Sequence, residues 1–336
     1  MHLPKPQIID PSSVPSLRWG VIGPGAIAES WVATVMENTQ QRVSAVASRT
    51  PGRAQEFANK FSLEHVSANY EELVSRDDLD AVYIASYPSD HFEHAMLGLR
   101  AGKHVLIEKP LTLRSDHAIE LLAFARSQGL LAMEAMWTRY LPQSTILRQL
   151  LDSGDLGKPE LFSAQFCTDN RASTRLWTPG GGGILFDMGI YAVAMAQQIL
   201  GNPSTIMSSG RVRPDGIEEE VSASFGYDSG ARAHLLMSGI ATLPQVASCS
   251  FENAQVTLHA PFLVPSAITV GTKDFYPNET TWTDTTGIVG HEGLAYQATW
   301  FADYVGANLL ESPVHSHEDT VTTLKVMEEI LQPLTS

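Results

Sequence analysis

Three scarcities bound this 336-residue chain. It has only two cysteines, Cys167 and Cys249, which excludes a disulfide framework and fits a reducing cytosol. Neither has an evident base partner in the sequence, so a thiol nucleophile is not expected. Basic residues are few: 22 Lys and Arg against 37 Asp and Glu give a formal charge of −15. Nucleic-acid binding, which needs a basic surface, is therefore not expected. A small anionic cofactor can still be held locally by a helix N-terminus. No apolar run approaches the roughly 20 residues of a membrane span. The Pro-rich start, MHLPKPQIIDPSSVPSLRWG, lacks the apolar segment of a secretory signal. A cytoplasmic protein is the expectation. The hydrophobic share, 43%, marks a globular chain, and its length suffices for two domains with cores.

What is present changes character along the chain. Up to about residue 135, short apolar strands alternate with helical stretches: LRWGVIG, then AIAESWVATVMEN; RVSAVAS, then PGRAQEFANKF; DAVYIAS, then SDHFEHAMLGLRAG; HVLIEKP, then RSDHAIELLAFARSQG and LLAMEA. Such alternation predicts βαβ units around a parallel sheet. After about residue 150, a polar stretch, the run TPGGGG and one apolar helix from about Ile184 to Leu200 come first. Strands then follow with no helices between them, and two helices close the chain, at about 291–310 and 317–332. Consecutive strands predict a mostly antiparallel sheet. The expected fold class is α/β: an N-terminal Rossmann parallel sheet plus a C-terminal α+β domain with a large, mostly antiparallel open sheet. The expected boundaries are an extension at 1–16, a dinucleotide-binding domain at 17–137, and a substrate-binding and dimerisation domain at 138–336.

GVIGPGAIAES contains Gly23-Pro-Gly25-Ala26-Ile27-Ala28, a G-x-G-x-x-A pattern that follows a strand and opens a helix. Glycines there allow a tight turn and close approach of backbone to a pyrophosphate, which the helix N-terminus favours. NAD readers place an acid at the end of the second strand for the ribose 2′-hydroxyl. Here Ser48, Arg49 and Thr50 stand there, with Arg53 close by. An arginine suits a 2′-phosphate, so NADP(H) is expected, and NAD less so. Farther along, HVLIEKPL runs an apolar strand into a charged pair, Glu108-Lys109, stopped by Pro110. It is either a solvated strand end or a lysine delivered to a ligand at the sheet edge.

Together these residues resemble the Gfo/Idh/MocA oxidoreductase family, over nearly the whole chain from Leu17 to Leu331. The markers are the glycine turn, HFEHAMLGLRAGKHVLIEKPLTL and GGGGILFDMGIYAVAMA. The resemblance implies that Lys109 lies beside the nicotinamide and is a site residue. Many members carry Asp and, four residues later, His in the segment after the second glycine run; here Asp187 is followed by Tyr191. Positions i and i+4 share a helix face, so both can reach one pocket. Tyrosine at that place, with MEAMWTRYLP, LHAPF and LESPVHSHEDT, resembles a branch that acts on sugars and cyclic diols. By this resemblance Lys109, Tyr191 and Asp187 are the catalytic group. Ser86, His91, Glu108, Trp137 and Arg139 join the glycine-turn and Ser48–Arg53 residues as cofactor contacts. Trp137, Trp177 and Asp187 are the substrate contacts. A symmetric homodimer through the open sheet face is also implied, and apolar residues in SASFGY and AHLLMSG point the same way.

The chemistry is coherent. Removing a hydride from an alcohol carbon leaves an oxygen that must lose a proton. A phenol with its ordinary pKa near 10 is a poor base at pH 7, and a nearby ammonium lowers that pKa. His91 and His94 sit three apart on one helix, but no third ligand is marked, so no metal is expected. His315 and His317 flank a serine at a helix start and read as solvated or capping. The expected activity is NADP(H)-dependent hydride transfer between the nicotinamide and a hydroxyl or carbonyl of a sugar or cyclic diol. The alternative is a non-catalytic NADP(H)-binding sensor on the same fold. An NAD-dependent glycosidase is disfavoured by Arg49 and Tyr191.

Overall fold

The protein is described by a computed structural model covering residues 2–334; the extreme ends of the expected 1–16 and 138–336 segments lie outside it. The first sheet is built from β1 (Arg18–Ile22), β2 (Arg42–Ala47), β3 (His65–Ser67), β4 (Ala81–Ile84), β5 (His104–Ile107) and β6 (Ala132–Glu134), all parallel, in the order β3-β2-β1-β4-β5-β6. Helices α1 (Ala26–Asn38), α2 (Pro51–Phe61), α3 (Tyr70–Val74), α4 (His91–Arg100) and α5 (Ser115–Ser127) are the crossovers. The order reverses between β1 and β4, the switch point outside which ligands bind in open α/β sheets. The central strands are apolar runs because both faces are covered; all four residues of β4 are buried. Trp31 of α1 stacks on Tyr83 of β4 with centroids 4.1 Å apart and meets Trp19 of β1 edge-on at 5.1 Å.

The second sheet follows α6 (Pro142–Ser153). It comprises β7 (Pro159–Cys167), β8 (Thr205–Val212), β9 (Glu218–Gly226), β10 (Arg232–Ser238), β11 (Ala247–Phe251), β12 (Gln255–Leu258), β13 (Ala267–Gly271) and β14 (Glu279–Thr283). Helix α7 (Ile190–Leu200) packs on β7 and β10, and α6 on β13. The order is β14-β13-β12-β11-β7-β10-β9-β8, antiparallel except where β7 pairs with β10. Three strands are not expected from the sequence: β3, a three-residue edge of the first sheet, and β7 and β14 of the second. Strand β7 is a central strand, yet one face is buried chiefly through Phe162 and Ala164 while Leu161 and Ser163 on the other are exposed; its sequence therefore reads as a polar stretch. Strand β14 is a mostly exposed edge.

The uncovered face of this sheet is polar, against the expectation of apolar residues on both. Cross-strand partners run Met207, Ser224, His234, Ser163, Ser248, Thr257, Thr269 and Thr281 from edge to edge. The apolar residues of SASFGY and AHLLMSG fall mainly on the other face, with Ala223, Phe225, Leu235 and Met237 buried.

Helices α8 (Leu294–Gly306) and α9 (His317–Leu331) end the chain. Contacts group the chain into two compact units. One holds Ile8–Tyr140 with Val289–Val321. The other holds Leu141–Ile288 with the residues before Ile8 and from Thr322 on. Among the described residues, no helix is long and apolar enough to cross a membrane.

Candidate active site

In the unit with the parallel sheet, the glycine turn leaves the carboxyl end of β1. Gly23 has φ +87°, and a Cβ there would stand 2.7 Å from Ser86 N and 2.8 Å from the Ala85 carbonyl. Only glycine lets the turn lie this close to the end of β4. Gly25 caps α1 without a side-chain bond, and nothing lies within 4 Å of a Cβ built on it. Ala26 is exposed and Ile27 half-buried. Uncapped amides at a 13-residue helix, with open space above the capping residue, fit the pyrophosphate of a dinucleotide.

At the end of β2, Ser48 Oγ accepts the Thr50 N–H at 3.1 Å. Arg49 and Arg53 are exposed. Arg49 is not a lone cation: its Nη2 lies 2.7 Å from Asp90 Oδ2. A 2′-phosphate there would share the guanidinium with a carboxylate 41 positions along the chain, a pairing no local pattern marks.

Lys109 leaves the carboxyl end of β5 and is half-buried. Glu108 beside it is buried and accepts the Tyr83 hydroxyl at 2.5 Å, so its carboxylate is tied to the aromatic core. His91 is fully buried. Its Nδ1 donates to the Pro110 carbonyl at 2.8 Å, and Nε2 lies 3.2 Å from the Ser86 carbonyl. Burial pulls this imidazole down to about 4, so it is neutral at pH 7. His94 Nδ1 meets Ser86 Oγ at 2.8 Å. Ser86 and His91 thus join the loops after β4 and β5. Trp137 and Arg139 are buried in the short 3-10 turn Trp137–Tyr140. Trp137 stacks on His291 at 5.8 Å. The His291 imidazole is held below its ordinary range, first by partial burial and then by the charge of Lys109.

In the other unit, the helix expected from Ile184 begins as a π turn, Leu185–Gly189, before α7. Asp187 lies in that turn and Tyr191 in the first turn of α7. The i→i+5 bonding of a π turn alters the simple i, i+4 register, and such turns are frequent at functional sites. Tyr191 is buried, 6.1 Å from the Phe166 ring. Arg175 Nη2 pairs with Asp187 Oδ1 at 2.8 Å. Glu218, buried, accepts the Leu185 N–H at 2.9 Å, and burial pushes its carboxyl up. A Cβ on Gly183, φ +64°, would overlap that carboxylate. The Trp177 indole donates to the Asn170 carbonyl at 2.8 Å, and the Arg213 guanidinium lies over its ring. Among the described residues, no group of three or more His, Cys, Asp or Glu could hold a metal.

Several residues around these positions are absent from the sequence reading. Tyr83, Glu218 and His291 stand far along the chain from the residues they touch; Glu134 lies within MEAMWTRYLP and Arg175 shortly before Asp187, but nothing local in the sequence marks their partners. His315 is a correction: it is buried against Glu134, Nε2 to Oε2 at 2.7 Å, and is not solvated. His317 is half-buried, its Nε2 3.0 Å from the Ala132 carbonyl. Neither histidine caps a helix.

Residues 17–136 match the family described as "Oxidoreductase family, NAD-binding Rossmann fold", and residues 145–259 match the "GFO/IDH/MocA C-terminal domain". A trans-1,2-dihydrobenzene-1,2-diol dehydrogenase of Mus musculus is 31% identical over 320 residues, 94% of this chain and 96% of that protein. The crystal structure of KijD10, a 3-ketoreductase from Actinomadura kijaniata in complex with NADP and TDP-benzene, superposes with a TM-score of 0.82 at 27% identity, covering 94% and 97% of the two chains. Variants of KijD10 with a lysine changed to alanine and with a tyrosine changed to phenylalanine have similar structures. Levoglucosan dehydrogenase in complex with NADH and levoglucosan, 18% identical, shares the fold with a TM-score of 0.84 over 95% of this chain and 97% of that one.

Proposed function

Because the chain belongs to the Gfo/Idh/MocA oxidoreductase family, we propose that it is an NADP(H)-dependent oxidoreductase acting on a hydroxyl or carbonyl of a sugar or cyclic diol. The observation that carries the reading is in the parallel-sheet unit. The open space over Gly25 and the half-buried Lys109 lie at the carboxyl ends of β1 and β5, on the two sides of β4 and at the sheet end where the switch point opens. The names of the relatives supply the substrate class: a diol dehydrogenase, and a ketoreductase with NADP. A bound nicotinamide supplies or accepts the hydride.

The chain's own residues manage the oxygen. Tyr191 exchanges the proton with it as general acid or base, a contribution typically of about 100- to 10,000-fold. Lys109 holds the phenol in its ionisable range and donates to the same oxygen. Asp187, restrained by Arg175, orients the substrate. Arg49 and Arg53 take the 2′-phosphate, the uncapped amides of α1 the pyrophosphate. A homodimer in the cytoplasm is the assembly and setting that complete the reading.

The direct test is an absorbance scan at the nicotinamide band with NADP and a panel of sugars and diols that includes trans-1,2-dihydrobenzenediol. Reduction of NADP with at least one of them is expected. NADP binding with no turnover on any panel member would favour a sensor instead.

A further inference from the structure

One peptide unit beside Lys109 is gripped at both ends. The Pro110 carbonyl accepts from His91 Nδ1 at 2.8 Å, and the N–H of the same peptide, on Leu111, donates to Glu134 Oε1 at 2.7 Å. Both partners are buried. Glu134 ends β6 directly across from Ile107 of β5, so the sheet itself sets how far its carboxylate reaches. The second carboxylate oxygen meets His315 Nε2 at 2.7 Å, and the two side chains are 1% exposed or less. The His315 loop is pinned in turn. Ser312 Oγ accepts the N–H groups of Val314 and His315 at 3.2 and 3.1 Å, and the Tyr140 hydroxyl donates to it at 2.7 Å.

A buried histidine–carboxylate hydrogen bond is a poor device for stability alone, since apolar residues of similar volume often serve as well or better. What it offers is direction: a fixed acceptor for one backbone donor. We infer that Glu134, backed by His315, is a positioning residue that fixes the Pro110–Leu111 peptide plane and through it the aim of Lys109. The inference rests on the proposed site role of Lys109. Catalytic groups misplaced by about 1 Å lose on the order of 100-fold in rate, and a peptide bonded on one side only is free to rock about the other bond.

The test compares Glu134→Ala, Glu134→Gln, His315→Ala and Lys109→Met with wild type. One readout is amide hydrogen exchange across residues 106–113 without substrate. The other is kcat and KM for NADP with trans-1,2-dihydrobenzenediol and any sugar of the panel that is turned over. In Glu134→Ala the Leu111 amide should exchange at least about tenfold faster, the scale of one charge-assisted bond. Its kcat should fall roughly 10- to 100-fold with little change in KM for NADP. Glu134→Gln keeps an acceptor oxygen and should recover most of both, a separation that a merely structural role would not produce. Unchanged Leu111 exchange, or faster exchange with wild-type kcat while Lys109→Met is inactive, overturns the inference. If Glu134→Ala does not fold, the same outcomes are read on His315→Ala, which removes the backing of the carboxylate. Wild-type turnover in Lys109→Met marks the failure of the functional reading itself, and ends the inference with it.

Discussion

Tyr191 is the residue on which the proposed chemistry turns. Tyr191→Phe removes one hydroxyl and keeps the ring against Phe166, so NADP(H) affinity should hold while kcat falls by about 100-fold or more. Steady-state kinetics beside a cofactor titration check it; turnover within a few-fold of wild type would make Tyr191 a packing residue. Arg49 is a milder case. It is 64% exposed and already paired with Asp90, so Arg49→Ala should weaken NADP(H) by about tenfold, the low end for a charge-assisted bond. Asp90→Asn, which frees the guanidinium, should tighten NADP(H) relative to NAD(H) when both are titrated. His91 predicts a pH effect. Its imidazole is depressed in the folded protein, from about 6.5 to about 4. Between those values the unfolded chain binds the proton and the folded one does not, so stability falls as pH drops through that window, by up to about 1.4 kcal/mol per pH unit from this group. Denaturant midpoints from pH 7 to 4 should show a shallower slope in His91→Gln than in wild type.

Among the elements, the π turn and Glu218 form a unit that only the folded chain reveals. Glu218→Ala leaves the Leu185 N–H without its acceptor and should cost about 1–3 kcal/mol. Glu218→Gln keeps an acceptor oxygen and should cost clearly less. Gly183→Ala meets both a positive φ and the carboxylate, and should lose more than about 1 kcal/mol. Urea unfolding of the three variants orders them; a Gly183→Ala protein as stable as wild type would show that the carboxylate has room to move. The elements themselves were legible wherever periodicity was strong. The alternation of β1, β2, β4, β5 and β6 with helices is plain in the sequence because these strands are largely apolar on both faces; β3, three residues at the sheet edge with Val66 exposed, is not. Strand β7, half-polar because one face is open, is not. The start of α7 reads as an ordinary helix because a π turn has no residue signature of its own.

For the whole molecule, the second sheet sets the question of assembly. Its uncovered face is a row of serine, threonine and histidine side chains, with isolated apolar residues such as Leu161 and Met207, 48% and 71% exposed. A polar face of this kind can be solvated as it stands, so the expected homodimer does not follow from apolar cover alone. It would have to be a hydrogen-bonded, wet interface. Light scattering at micromolar concentration should give a dimer mass, and a monomer mass would refute the assembly.

The sequence by itself determined the class of fold, the glycine turn, the strand that ends at Lys109 and the family, because each is written in contiguous residues whose spacing matches a local geometry. Tertiary structure decided the rest. That Asp90 shares Arg49, that His91 and Glu134 hold the two ends of one peptide, and that His315 is buried behind them are facts about residues far apart in the chain. Hydrogen bonds have directions and short reach, so which distant groups pair is settled only when packing brings their atoms within about 3 Å of one another.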